Sequence, residues 1–180
     1  MAERVSFSDE QLSLDDIDTW RDDVLSGLRQ FFCGRSEALT QRYADEEIEI
    51  ALQSALAELD LTSSLSVLSS VEAGIRLDYL RRVYGRLRDP LSRAMSALHQ
   101  DKMSRARLEG DLLRLWRDRT SMRKGLLAEL ANAFKYRHWL AHGRYWRQKL
   151  GRQYDYDSLF ELANEFNGAM QEHSETSQSI

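Results

Sequence analysis

Apolar positions recur at three- and four-residue intervals over most of the chain, the spacing of helices with one buried face. The stretch "SLDDIDTWRDDVLSGLRQFF" carries Leu14, Ile17, Val24, Leu25, Leu28 and Phe31 in that register. Ser13 stands before Asp15 and Asp16 as an N-cap, and Gly34 is a natural stop. The period resumes in "SEALTQRYADEEIEIALQSALAELD" through Tyr43, Ile48, Leu52, Leu56 and Leu59. The period continues through "TSSLSVLSSVEAGIRLDYLRRVYGRLR" with Leu65, Leu68, Val71, Ile75, Tyr79, Val83 and Leu87. Pro90 cannot extend that helix but suits the first turn of the next, with Asp89 as its N-cap. "ARLEGDLLRLWRD" predicts a short helix after a basic loop. Thr120 or Ser121 then opens "MRKGLLAELANAFKYRHWLAH", which buries Leu126, Leu127, Leu130, Phe134 and Leu140. Gly143 falls at the left-handed position just past its end. "DSLFELANEFNGAM" is the last helix, and the polar residues after it predict a frayed tail. No stretch alternates with period two for the length of a strand, so the fold class is all-α, a helical bundle.

Composition supports this. One proline and nine glycines are few for 180 residues, and scarce punctuation favours long helices. Cys33 stands alone, which excludes an intrachain disulfide and a cysteine-based zinc site, as expected in a reducing cytoplasm. The start "MAERVSFSDE" has no apolar core of a secretory signal, and no apolar run approaches a membrane span. No His or carboxylate spacing suggests a metal site, and no Gly-rich loop suggests a phosphate-bound cofactor.

The net charge of −4 hides a segregation. Residues 1–72 hold five Lys/Arg against sixteen Asp/Glu, residues 73–152 twenty against seven, and residues 153–180 none against six. The basic middle predicts either a surface for polyanions or ion pairing between segments.

Candidate chemistry sits at the end of the basic region's longest helix, in "KYRHWLAHGRYW". Arg137 and His142 are five residues apart, about 140° around an ideal helix, so they do not share one face. A histidine at a helix end can act as general acid or base near neutral pH. An arginine beside it clamps a phosphate. Such a pair is the minimum set for cutting RNA without metal: one group takes the 2′-hydroxyl proton, another stabilises charge on the phosphoryl oxygens.

Arg137-His138-Trp139-Leu140-Ala141-His142 resembles the R-x4–6-H motif of the HEPN superfamily, with His138 where that family carries Asn, Asp or His after the arginine. The all-α order and the late position of the motif are similar too, as is the upstream stretch "SSVEAGIRLDYLRR" with Glu72 and Arg76. The resemblance covers residues 37–170, with residues 1–36 as a helical segment packed on the bundle and 171–180 as a flexible tail. It implies a HEPN-like bundle and a cytoplasmic, metal-independent endoribonuclease that leaves 2′,3′-cyclic phosphate and 5′-hydroxyl ends. It also implies a homodimer in which Arg137 and His142 of both chains form one composite site. The role implied is that of a toxin or phage-defence effector, with an antitoxin or defence-system component as further partner. Toxins of this superfamily paired with a nucleotidyltransferase antitoxin read R-x4-H-x-Y; here Arg144 holds the tyrosine position and Tyr145 follows. Some members lack nuclease activity, so a non-catalytic module that binds nucleic acid or nucleotide and dimerises is the alternative.

The remaining residues divide between chemistry and packing. His138 and Tyr145 are candidate helpers at the phosphate. Glu72 either orients Arg137 or forms an ordinary i,i+4 pair with Arg76. Arg144, Arg147, Lys149 and Arg152 form a candidate RNA-phosphate patch or a solvated basic face. Trp139 and Trp146 either stack on bases or anchor packing.

Overall fold

The computed structural model describes residues 5–178 apart from Asp9, Arg35 and residues 148–150. The described residues form helices and connecting turns, with no strand among them. The helices are α1 (Leu14–Cys33), α2 (Glu37–Thr40), α3 (Ile48–Tyr84), α4 (Pro90–Lys102), α5 (Arg114–Arg119), α6 (Lys124–Ala141) and α7 (Tyr156–Gln178). A π-helical turn, Leu108–Leu113, leads into α5.

The spine is α3, whose 37 residues run about 56 Å at 1.5 Å per residue. Helices α1, α4, α6 and α7 all pack on it. Its inward stripe of Val67, Leu68, Val71, Ile75 and Tyr79 is buried to 2% exposure or less and meets Trp116, Leu130 and Phe166 in one core. Ahead of α1, the Val5 N–H donates to Tyr84 Oη at 3.0 Å and Ser70 Oγ donates to the Leu12 carbonyl at 2.7 Å.

Several expected boundaries hold. Ser13 caps α1 in a reciprocal box with Asp16, each satisfying the other's backbone N–H. Asp89 caps α4 with Pro90 at the first position. Gly143 takes φ +78° just after α6.

The period that continues through "TSSLSV" belongs to one helix, α3, which runs straight through it. Thr62 Oγ1 donates to the carbonyls of Glu58 and Leu59, and Ser66 Oγ to that of Thr62, so these hydroxyls bond inside the helix instead of breaking it. Ser63 and Ser64 are fully buried, small enough for close packing against neighbouring helices. The segment 37–47 is a short helix and a 3₁₀ turn rather than the start of α3. Neither Thr120 nor Ser121 caps α6. Thr120 Oγ1 donates to the Trp116 carbonyl and accepts from the Met122 N–H, which shapes the turn after α5, and α6 begins at Lys124. Gly34 ends α1 in right-handed geometry, φ −81°. Residues 171–178, expected as a loose tail, continue α7: Ser174 Oγ donates to the Met170 carbonyl and accepts from Arg82 at 3.0 Å.

Candidate active site

Two helices place the central pair. Arg137 lies near the C-terminal end of α6 and Glu72 midway along α3, where the two helices pack. Arg137 Nη2 lies 2.9 Å from Glu72 Oε2, with the arginine side chain 32% exposed. The contact is an ion pair off the line of a hydrogen bond: Glu72 Oε2 and Arg137 Nε are both buried without a hydrogen-bond partner. The other carboxylate oxygen, Oε1, accepts from Arg76 Nε at 2.8 Å. Arg76 also donates from Nη1 to the Ala106 carbonyl at 3.2 Å. Glu72 thus contacts Arg137 through one oxygen and pairs with Arg76 through the other.

Arg137 lines a cleft of about 840 Å³ with His138, Lys135 and Trp139 from α6, Trp146 beyond it, and Arg107 from the start of the π-helical turn. Cations and flat rings face the same space, while Glu72 and Glu109 supply the acidic side chains of its lining. Trp139 Nε1 donates to the Trp146 carbonyl at 2.7 Å, which folds the chain after α6 back over the helix end. Gly143 at φ +78° and Arg144 at φ +57° make that reversal. Trp139 also stacks on Tyr136 with ring centroids 5.7 Å apart. Both tryptophans are thus packed and at the cleft wall together.

His142 does not line this cleft. It is exposed at the C-cap of α6, and its ring centroid lies 4.2 Å from that of His138, which does line it. His138 is therefore the histidine beside Arg137, and His142 stands behind it. Tyr145 is 83% exposed, its ring edge-on to Trp146 at 4.6 Å.

The basic residues after the motif scatter. Arg144 makes a two-pronged pair with Glu58, at 2.7 and 3.0 Å. Arg152 pairs with Glu129 and lies over the Tyr154 ring at 5.6 Å. Neither lines the cleft. Arg147 is exposed, and Lys149 lies outside the described residues. The charge segregation resolves in part into ion pairs between segments: Arg137–Glu72, Arg144–Glu58 and Arg123–Glu165 each join the basic middle to an acidic flank.

Sequence reasoning missed Arg107 and Lys135. Lys135 precedes His138 by three residues on the same helix, a spacing that was available. Arg107 comes from thirty residues upstream, and only the fold brings it to Arg137.

Among the described residues no group of three or more His, Cys, Asp and Glu side chains could hold a metal ion, and no helix is long and apolar enough to cross a membrane. Set against known protein families, characterised proteins and solved structures, the chain matches none of them.

Proposed function

We propose that the protein is a metal-independent endoribonuclease of HEPN type, acting as a toxin or defence effector. The observation that carries this reading is the cleft itself: Arg137, about a third exposed, lines it, and His138 lines it in ring contact with His142. In the reaction, the RNA 2′-oxygen attacks the adjacent phosphorus and the bond to the 5′-oxygen breaks. One histidine accepts the 2′-hydroxyl proton and a protonated one delivers a proton to the departing 5′-oxygen. The Arg137 guanidinium neutralises charge on the non-bridging oxygens. The products are a 2′,3′-cyclic phosphate and a 5′-hydroxyl. His142 of a second copy completes the site in the homodimer that the motif implies.

The test is RNA cleavage in EDTA by the unaltered protein, Arg137→Ala and His142→Ala. Cleavage by the first, and a loss of at least about a hundredfold in both variants, supports the reading. Equal activity in all three proteins identifies a contaminant and removes it. Growth arrest on expression, relieved by His142→Ala, is the corresponding cellular result.

A second reading rests on the Glu72–Arg137 ion pair and on His142 lying outside the cleft lining. In it the protein binds a nucleotide or RNA strand without cutting it. RNA retained by the cleft and recovered intact from every variant selects that reading.

A further inference from the structure

The cleft has a wall that the motif does not supply. The π-helical turn Leu108–Leu113 opens there, with the Leu112 N–H donating to the Arg107 carbonyl at 3.1 Å in the wider i→i+5 pattern. Such turns are rare and occur disproportionately at functional sites. Its anchor is Asp111, only 2% exposed, which accepts from the Arg107 N–H at 2.8 Å and from Lys102 Nζ at 2.7 Å. These two donors hold the Asp111 carboxyl below the usual carboxylate range. The Ala106 carbonyl is tied to Arg76, and through it to Glu72 and Arg137. The backbone of Arg107 is thus fixed relative to Arg137 from two sides.

Its side chain is not used by that scaffold. It is 77% exposed, and the nearest carboxylate oxygen, on Asp111, lies 3.7 Å from Nε while that carboxyl is already bound by Lys102. The guanidinium rests over Gly110, where an added Cβ would come within 3.3 Å of it. A Cβ at 110 would require the guanidinium to give way by a few tenths of an ångström. The cleft's volume of about 840 Å³ is near the top of the roughly 300–1,000 Å³ usual for ligand clefts. That exceeds what one phosphate requires.

We infer that Arg107 is a second phosphate-binding residue of the cleft, holding a phosphate adjacent to the one at Arg137. The ligand is a single strand with two successive phosphates and a base between them against Trp139 or Trp146. A planar guanidinium with open donors binds phosphate in a two-pronged fashion, and tryptophan faces accept any base. The inference rests on the RNA reading above and adds the residue that makes the site read a dinucleotide unit.

The test uses full-length protein carrying His142→Ala, so that the probe survives, in EDTA, with a fluorescent eight-nucleotide RNA. Adding Arg107→Ala should weaken binding about tenfold and lower the salt slope by about one. Adding Arg29→Ala, the same charge change on an exposed face of α1, should move affinity less than about twofold. The Arg107→Ala effect should persist with 5′-phosphorylated diuridylate and vanish with uridine 3′-monophosphate. If Arg137→Ala abolishes binding while Arg107→Ala behaves like Arg29→Ala, the RNA reading stands and the Arg107 assignment falls. If no variant of the cleft changes binding, or RNA does not bind, both fall.

Discussion

Helix α3 carries two arginine–carboxylate pairs six residues apart, Glu72–Arg76 and Asp78–Arg82, and their surroundings differ. Arg82 is 3% exposed and its donors are spent on protein. Nε reaches both Asp78 oxygens at 2.8 Å, Nη1 reaches Ser92 at 3.2 Å and Asp89 at 3.4 Å, and Nη2 reaches Ser174 at 3.0 Å. Its guanidinium also lies 5.5 Å from the Trp116 ring. It ties α3, α4 and α7 together. Arg137, paired with the other pair's glutamate, is 32% exposed and lines the cleft, while its unpartnered Nε is buried. The fold consumes the donors of Arg82, whereas on the reading proposed above the exposed part of Arg137 is open to a ligand.

The sharpest way to break this comparison is to remove Arg82. Its loss strands Asp78 inside the protein, and burial, working against the Arg82 charge, already holds that carboxyl above the usual range. Arg82→Ala should cost about 3–5 kcal/mol of unfolding free energy, measured by urea denaturation, because an uncompensated buried charge remains. Replacing both partners, Arg82→Met with Asp78→Leu, should recover much of that loss. A single variant as stable as the unaltered protein would mean that Arg82 is not the structural half of the comparison.

A smaller effect comes from pH. His173 sits beside this cluster with its ring centroid 5.3 Å from that of Trp116 and its Nε2 buried without a partner. Burial, aided by the Arg82 charge and opposed by Asp89 and Asp78, lowers its pKa from 6.5. The unfolded chain then binds the proton more readily than the folded one. Stability is therefore lost as pH falls from 6.5 toward the lowered folded value. Asp78 acts in the opposite sense and in a lower window, from 3.8 upward. The denaturation midpoint should drop between pH 7.5 and 5.5, and drop less in His173→Gln, which retains Asp78. An equal drop in both proteins assigns the pH dependence elsewhere.

The same distinction explains what the sequence made legible. Caps at Ser13 and Asp89 and the turn at Gly143 could be read because each depends on residues within a few positions. The period also continued across Thr62 and Ser66, whose hydroxyls bond within α3 instead of breaking it. The Arg137–Glu72 contact was foreseen as one of two options, and the fold uses both carboxylate oxygens. Arg107 at the cleft, and His138 rather than His142 beside Arg137, required three dimensions. Spacing gives a side chain's direction on its own helix but not what another helix places opposite.

The smallest expected change is the one that separates the two arginines most cleanly. Arg137→Ala removes an ion pair whose arginine is a third exposed, whose glutamate oxygen is buried, and which lacks hydrogen-bond alignment. Glu72, left behind, still accepts from Arg76 at 2.8 Å and faces the cleft. The unfolding free energy should therefore fall by about 1–2 kcal/mol, between the range of exposed pairs and that of a fully buried one, whether or not the variant cleaves RNA. A loss of about 3 kcal/mol or more, comparable to that for a buried pair, would make Arg137 a second Arg82. Lost activity would then report only a damaged fold. A stable, inactive Arg137→Ala would instead show that Arg137 serves the ligand site rather than the fold.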